Sequence, residues 1–401
     1  MPTARPELIY LDHNATTPVR PEVVEAMRDC YAAPYLNPAS QHEFGRRARR
    51  VLEAAREKVG ELVGANMSGR DADRVVFTSG GTEANNLALL GLAGEDHFSS
   101  PGNSGATTGH LIISAIEHPS VTAVTDHLAA HRWSVDRLGV DRGGVIRSAD
   151  LPALLRPGTR LVAAMLANNE TGVIQPMTEL AAICVERRVP LHTDAAQAVG
   201  KLPVHFRDLG VATMSFAAHK FHGPLGIGAL VVRHDVELAP QLFGGFQQGG
   251  LRPGTESVAL AVGMLRALEL WHSECDDRNT RLTNLRNEFE RAIRGGWPAA
   301  VVIGAAADRL PNSSNIAFVG LDRQALFIAL DQAGVACSTG SACASGSSEP
   351  SPTHLAMGLD ATVLGSALRF SLGAGTTDAE LNEATRRILK ICNDLGSKKV
   401  G

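Results

Sequence analysis

The sequence predicts an α/β protein whose larger part is a mostly parallel, doubly wound sheet. Short β-rich runs alternate with helical patterns along most of the chain. Each β-rich run is largely apolar throughout, instead of alternating, which is typical of a strand that is covered on both faces. The predicted strands are 74–78, 110–114, 161–166, 190–193 and 212–216.

Helical patterns separate these strands, at 41–63, 82–92, 118–130 and 177–187. A long helical stretch over 257–294 and a final helix near 378–394 indicate a second, smaller α+β domain. We therefore predict a large domain over 18–257 and a small domain formed by 1–17 and 258–401. In doubly wound sheets, ligands bind beyond the carboxyl ends of the strands.

Composition and charge exclude several classes of protein. With 44% hydrophobic residues, 20% charged residues and a net charge of −4, nothing favours binding to a nucleic acid or an anionic membrane. The apolar runs are too short to span a bilayer, and the N-terminus lacks the apolar core of a signal peptide. The six cysteines form no CxxC pair, so no metal site is expected. We expect a cytoplasmic protein.

An acid and a lysine follow neighbouring predicted strands. Asp194 ends one strand within HTDAAQ, and Lys220 follows the next within SFAAHKFHGP. A pyridoxal cofactor needs a lysine for a Schiff base and a carboxylate that keeps its ring nitrogen protonated. Taken alone, each residue is more often a surface lysine or a capping aspartate. Together they predict a cofactor site at this edge of the sheet.

Two further motifs lie at the same predicted edge. TSGGTE at 78–83 joins a strand to a helix, and its backbone N–H groups suit the cofactor phosphate, although a plain helix cap has the same pattern. His118 follows another strand, where an imidazole can stack on the ring or move protons. A single histidine is more often structural, so this signal is weak by itself.

Cys343 differs from the other cysteines in its surroundings. It lies among small polar residues, in the run STGSACASGSS at 338–348, where a thiol cannot be buried well. Such surroundings are typical of a reactive cysteine, and the composition indicates a tether that could carry sulfur to an acceptor. The alternative is a surface loop with an incidental cysteine.

Nearly the whole chain resembles the pyridoxal-phosphate-dependent cysteine desulfurases, in the branch with a Gly-Ser-Ala-Cys loop. This resemblance implies a fold-type I, class V aminotransferase-like enzyme. Nine short motifs occur in the family's order: LDHNATTP at 11–18, TSGGTE at 78–83, EHP at 117–119, ANNETG at 167–172, HTDAAQ at 192–197, HK at 219–220, RPGTE at 252–256, GSAC at 340–343 and LRFSL at 368–372.

The resemblance implies roles around the cofactor ring. Lys220 would bind the cofactor covalently and then move the substrate's α-proton. Asp194 would pair with the pyridinium nitrogen, Gln197 with the ring hydroxyl, and His118 would stack on the ring.

It also implies how the phosphate is held. Gly81, Thr82 and His219 would contact the phosphate, joined by Thr255 from the second subunit of a homodimer.

For the substrate, Asn169 would contact cofactor or substrate, and Arg369 would clamp the carboxylate of L-cysteine, with Asn14 beside it. Cys343 would take the substrate's sulfur, leaving L-alanine and an enzyme persulfide for a sulfur-acceptor protein, either for iron–sulfur clusters or for thiolation.

The chain departs from the family pattern at two places. Ala217 stands where the family usually has a serine, which removes one phosphate hydroxyl and predicts weaker cofactor binding. Phe246 and Gln248 change the polarity of an expected subunit edge.

Two alternatives to a cysteine desulfurase stay open from the sequence. A selenocysteine lyase shares the fold and the cofactor chemistry. A catalytically weak, cofactor-binding scaffold for a sulfur acceptor is the alternative of another class, and Ala217 is the feature that hints at it.

Overall fold

The computed structural model describes residues 7–94, 109–340 and 350–397, so Cys343 lies outside the described residues. Within these ranges the strands are β1 Ile9–Tyr10, β2 Arg74–Thr78, β3 Gly109–Ser114, β4 Trp133–Leu138, β5 Thr159–Ala163, β6 Leu191–Asp194, β7 Thr213–Ala217, β8 Gly228–Val232, β9 Ala300–Val302, β10 Ser313–Phe318, β11 Val335–Ala336 and β12 Ala367–Ser371.

The helices in the same ranges alternate with these strands in the first part of the chain. In the second part, from residue 258 onward, more residues lie in helices than in strands. They are α1 Pro21–Ala32, α2 Glu43–Leu62, α3 Gly81–Ala93, α4 Pro119–Ala130, α5 Leu151–Leu154, α6 Met177–Glu186, α7 Phe206–Leu209, α8 Val258–Gly296, α9 Arg323–Gln332, α10 Pro352–Ala356, α11 Ala361–Leu364 and α12 Asp378–Ser397.

The central sheet has the strand order β2-β8-β7-β6-β5-β3-β4 in the described part of the chain. All of its strands run parallel except β8, which is antiparallel to both of its neighbours. After β3 the chain first adds β4 at one edge and then returns to place β5 on the other side of β3. Such a reversal of strand order opens a crevice at the carboxyl ends of the strands. The predicted α/β fold with a mostly parallel sheet is confirmed.

Both faces of the sheet are buried, which explains the uninterrupted apolar runs. Along β2, Val75 and Phe77 belong to the core on one face and Val76 to the core on the other. The same division holds in β3, where Ile112 faces one core and Ile113 the other. Because successive side chains of a strand point to opposite faces, apolar residues are favoured at consecutive positions here.

Some strands differ from their predicted form. The strand predicted at 161–166 ends at Ala163. Strand β4, with sequence WSVDRL, was missed because it lies at the sheet edge and carries charged residues. Strand β8 was missed although it is apolar; its Gly228 permits close packing, since a Cβ there would lie 2.5 Å from the carbonyl carbon of Gly80.

The C-terminal part of the chain forms a second, smaller sheet with its own hydrophobic core. Strands β9, β10 and β12 form an antiparallel sheet in the order β12-β10-β9. Its core includes Phe289 of α8, Phe318, Phe370 and Ile388 of α12. Strand β1 pairs in parallel with β11, so the N-terminal segment joins this part of the molecule. The domain boundaries given above remain a prediction.

Two negative findings concern the described residues. In the three described ranges, no helix is long and apolar enough to cross a membrane. The same ranges contain no cluster of three or more histidine, cysteine, aspartate or glutamate side chains that could hold a metal ion.

Candidate active site

A cavity of about 230 Å³ opens at the carboxyl ends of β3, β5, β6 and β7, at the reversal of strand order. The cavity brings together most of the site residues that the sequence suggested. Those that line it are Gly81, Thr82, His118, Asn169, Asp194, Gln197, His219 and Lys220.

The turn between β2 and α3 forms one end of the cavity. Helix α3 begins at Gly81, and the first backbone N–H groups of a helix have no partner within it, so they favour an anion. The Glu83 carboxylate braces the turn, accepting from the Ser79 N–H at 2.7 Å and from Arg252 Nε at 2.8 Å. A Cβ at Gly81 would lie 3.7 Å from Cβ of Ala217, so Ala217 adjoins the turn between β2 and α3.

Asp194 is a buried carboxylate at the end of β6. It accepts hydrogen bonds from Asn85 Nδ2 at 2.8 Å and from the Ala196 N–H at 2.9 Å. Within the described ranges, no lysine, arginine or histidine lies within ion-pair distance of it. Because a buried charge is costly unless it is paired, this carboxylate suits a cationic ring nitrogen in the cavity.

Asn85 of α3 connects Asp194 to the rest of the site, and the sequence analysis missed it. Since a carboxylate only accepts hydrogen bonds, the Asn85 amide nitrogen must face Asp194. The same nitrogen donates to Ser120 Oγ at 2.8 Å. The amide oxygen accepts from His192 Nε2 at 3.1 Å and from the Ser215 hydroxyl. Every polar atom of this side chain is therefore engaged.

Two histidines around this network are neutral. Burial lowers the pKa of His192 to about 4, and its Nε2 proton is donated to Asn85. Burial also lowers the pKa of His118. The Ser120 N–H donates to His118 Nδ1 at 3.1 Å, which places the proton of the neutral ring on Nε2. His118 is the N-cap of α4, and this cap fixes the ring at the cavity.

Glu117, next to His118, is partly buried, and its carboxyl group lies in the wall behind the cavity. It accepts from the Met165 N–H at 2.7 Å and from the Ser114 hydroxyl. Burial raises the pKa of its carboxyl group to about 7.

Lys220 follows β7 in a 3₁₀ turn over Ala218–Lys220. Its amine donates to the carbonyl oxygens of Asn14 at 2.7 Å and Ala15 at 2.9 Å. Gln197 Nε2 donates to the same Asn14 carbonyl at 3.0 Å. The N-terminal segment therefore supplies the acceptors that hold the lysine at the cavity.

Arg369 of β12 lies behind the cavity rather than in its lining. It is 1% exposed, forms an ion pair of 2.5 Å with Asp12, and donates to the carbonyl oxygen of Asn169 at 2.9 Å. Asn14 is bound nearby, donating through Nδ2 to Ser313 Oγ at 2.7 Å. Arg369 thus reaches the edge of the cavity through Asn169.

Other predicted site residues are not brought into the cavity. Thr255 is exposed and does not line it, and its assignment to a second subunit remains a prediction. Cys343 lies outside the described residues. Cys337 is buried in the C-terminal core, and burial raises the pKa of its thiol far above the usual range, which fits a structural residue.

The departures at 246–248 lie at a larger cavity of about 640 Å³, away from the candidate site. Phe246 is 87% exposed. Gln248 binds the backbone of Phe77 at the edge strand β2, accepting from its N–H at 2.6 Å and donating to its carbonyl oxygen at 2.8 Å. Gln248 therefore covers a strand edge rather than contributing to the site.

The strand-end carboxylate, the strand-end lysine and the helix N-terminus together fit pyridoxal phosphate. Each lies at the lining of one cavity, and the otherwise unpaired buried charge of Asp194 is the observation that favours a cationic ring. The fold and site define a fold-type I, pyridoxal-phosphate-dependent class of enzyme.

Comparison with known proteins gives the family. The family model for aminotransferase class-V matches residues 9–383. The cysteine desulfurase IscS of Dictyoglomus turgidum is 41% identical over 374 residues, covering 93% of this chain and 92% of the relative. The cysteine desulfurase NifS of Azotobacter vinelandii is 36% identical over 387 residues, with coverages of 96% and 93%. The chain belongs to the class-V aminotransferase family and, within it, to the cysteine desulfurases.

A solved structure agrees with this assignment. A protein described as NifS-like superposes with a TM-score of 0.86 at 32% identity, covering 97% of this chain and all of that chain.

Proposed function

We propose that the chain is a pyridoxal-phosphate-dependent cysteine desulfurase, which converts L-cysteine to L-alanine and places the sulfur on Cys343 as a persulfide. The observation that supports this most directly is the cavity in which Asp194 and Lys220 lie at neighbouring strand ends. The names of the relatives above support the choice of cysteine as substrate.

The proposed cofactor would lie between groups that the structure already orders. Asp194 would hold the ring nitrogen, Gln197 the ring hydroxyl and Lys220 the aldehyde. The cup of Gly81, Thr82 and His219 would hold the phosphate, completed by Thr255 of the partner in a homodimer. When bound, pyridoxal phosphate supplies an electron sink that weakens the bonds at the substrate's α-carbon.

Lys220 is suited to move the substrate's α-proton. Its amine lies between the carbonyl oxygens of Asn14 and Ala15, which accept hydrogen bonds and hold it in place at the cavity. The neutral ring of His118, with its proton on Nε2, provides a flat wall and a second proton donor. Arg369 would bind the substrate carboxylate, oriented by the ion pair with Asp12.

The proposed sulfur transfer balances without an external oxidant. The Cys343 thiolate attacks the sulfur of the substrate, so a carbon–sulfur bond breaks and a sulfur–sulfur bond forms. The β-carbon that loses sulfur gains a proton and leaves in L-alanine. The persulfide sulfur then passes to an acceptor protein, for iron–sulfur clusters or for thiolation.

The test measures L-alanine release and persulfide formation with L-cysteine as substrate. We expect wild type to produce both, Cys343→Ala to lack the persulfide and Lys220→Ala to produce neither. Matched controls are Cys275→Ala, on the half-exposed part of α8, and Lys58→Ala, whose side chain pairs with Glu61 on the surface. Both controls should behave as wild type.

Other outcomes distinguish the alternatives. Turnover of L-selenocysteine with no turnover of L-cysteine would assign a selenocysteine lyase. A protein that loads with the cofactor and absorbs visible light but turns over neither L-cysteine nor L-selenocysteine would support the scaffold. Equilibrium sedimentation tests the homodimer, and fractionation of the cell of origin tests the expected cytoplasmic location.

A further inference from the structure

A second lysine lies beside the candidate active site, and no role has been assigned to it above. Lys201 is 7% exposed. Its amine donates to Asn14 Oδ1 at 2.9 Å and to Gln197 Oε1 at 2.5 Å. In the ranges that the structure describes, no carboxylate lies within ion-pair distance of it. A buried lysine bound only by amide oxygens requires an explanation.

The contacts with Lys201 and with the Asn14 carbonyl together decide how the Gln197 amide is oriented. The carbonyl oxygen of Asn14 can only accept a hydrogen bond, so the amide atom that faces it is Nε2 and the atom that faces Lys201 is Oε1. One proton of Nε2 is donated to the Asn14 carbonyl at 3.0 Å. The other is available to the cavity that Gln197 lines. Gln197 is therefore presented to the cavity as a donor.

Lys201 also helps to hold the acceptor of Lys220. The Asn14 side chain accepts from Lys201 and from Asn312 Nδ2 at 3.1 Å. The Asn14 carbonyl oxygen accepts from Lys220. The Lys201 amine therefore holds both the Gln197 side chain and the Asn14 side chain. The backbone carbonyl of Asn14 in turn positions Lys220.

The surroundings of Lys201 also lower its pKa. The cause is burial first, and then the positive charges of Lys220 and Arg369.

The local chain geometry places Lys201 one turn after Gln197. Gly200 has a φ of +77°, and a Cβ there would lie 2.1 Å from Cβ of Phe221. Only glycine fits this close approach. The sequence thus requires Gly200 for the turn that carries Lys201 back to Gln197.

We propose that Lys201 is a positioning residue that fixes Gln197 as a hydrogen-bond donor to the ring oxygen of the bound cofactor. This inference rests on the proposed function. A donor at that oxygen stabilises negative charge there, so the bound cofactor loses its titrating proton at a lower pH. Without Lys201, the contact with the Asn14 carbonyl alone opposes a turn of the Gln197 amide, which would bring the amide oxygen toward the ring oxygen.

The test is a pH titration of the visible absorption of the loaded protein without substrate. Lys201→Met keeps most of the length of the side chain, which becomes one atom shorter, but removes its donors. We expect the midpoint of the titration to move to higher pH by about one unit, the size expected for one lost hydrogen bond to a charged oxygen. Lys58→Met, a surface control, should leave the midpoint unchanged.

A second pair of variants shows whether Lys201 acts through Gln197. Gln197→Leu should raise the midpoint, and adding Lys201→Met to it should raise it little further, because both changes remove the same donor. Lys201→Ala serves the same comparison if the methionine variant does not fold.

The outcomes separate this inference from the proposed function. A folded, loaded Lys201→Met protein with the wild-type midpoint overturns the inference, as does a full additional shift in the Gln197→Leu background. A wild-type protein that cannot be loaded with the cofactor instead contradicts the proposed function.

Discussion

The two sides of the cavity hold charge in opposite ways. On the Asp194 side, formed by Asp194 with Asn85, His192 and His118, the carboxylate accepts hydrogen bonds from neutral groups, the Asn85 amide and the Ala196 N–H. On the Arg369 side, formed by Arg369, Asp12 and the Asn14 segment, a cation is paired with a carboxylate. The first side leaves its charge available for a cationic ligand. On the second side, the ion pair with Asp12 orients the Arg369 guanidinium group, and an anionic ligand would have to compete with Asp12 for that group.

The two sides also differ in how far apart their residues lie in the chain. Asp194 and Ser215 are neighbours in paired strands, and Asn85 reaches Asp194 from 109 residues away. Arg369 and Asp12 are separated by 357 residues, and Asn14 and Ser313 by 299. The strand ends of the first side follow from rules of sheet architecture, whereas the second side depends on the complete tertiary structure.

The largest effect is expected on the Arg369 side. Arg369→Lys loses the planar fork that contacts both Asp12 and Asn169, so kcat/KM for L-cysteine should fall about 100-fold, mainly through KM. Steady-state kinetics at saturating cofactor measures this. Arg386→Lys, an exposed residue paired with Glu383, is the control and should change little. An unchanged KM would mean that Arg369 does not bind the substrate.

A smaller effect is expected on the Asp194 side. Asn85→Ala removes a donor to the Asp194 carboxylate, which should weaken cofactor binding by about 1.5–3 kcal/mol, or roughly 10- to 100-fold. Equilibrium loading followed by visible absorption measures the change. KM for L-cysteine at saturating cofactor should stay within about twofold of wild type, because the proposed site of the substrate carboxylate lies on the other side.

Asn86 supplies the control for that measurement. It adjoins Asn85 in α3 but donates to the Thr82 carbonyl at the surface instead. Asn86→Ala should keep its cofactor affinity near wild type. Equal losses in the two variants would show a general loss of α3 stability rather than a role for the Asp194 contact.

The smallest effect is expected from Ala217→Ser, at the phosphate cup. Ala217 is buried and lines the cavity, so a hydroxyl there can donate to the phosphate. Cofactor affinity should rise by about 0.5–1.5 kcal/mol, roughly 2- to 10-fold, in the same loading assay. Ala217→Cys, of similar size but with a weak donor, should gain less. Weaker binding by the serine variant would show that the alanine is required for packing.

The same contrast explains what the sequence could predict. Asp194, Lys220 and His118 were placed at one sheet edge because strand ends in a parallel sheet converge. Asn85 and Lys201 were missed because their importance depends on which atoms they meet across the fold, Asp194 in one case and Asn14 in the other. An asparagine within a helix and a lysine after a glycine carry no sequence signal for that. The order of β8 in the sheet was equally hidden, since an apolar run does not give strand direction.

The pairing of Asp12 with Arg369 has a consequence for synthesis. Residues separated by 357 positions emerge from a ribosome roughly 20 to 70 s apart at ordinary rates of elongation. Strands β2 to β8 can pair during that interval, and Lys220 is then already attached to the sheet. The Asn14 segment, however, waits for β11 and β12 before it is anchored. In a nascent chain of this protein, the sheet that carries Lys220 can therefore form well before the Asn14 segment, whose carbonyl oxygens hold Lys220 in place, is anchored.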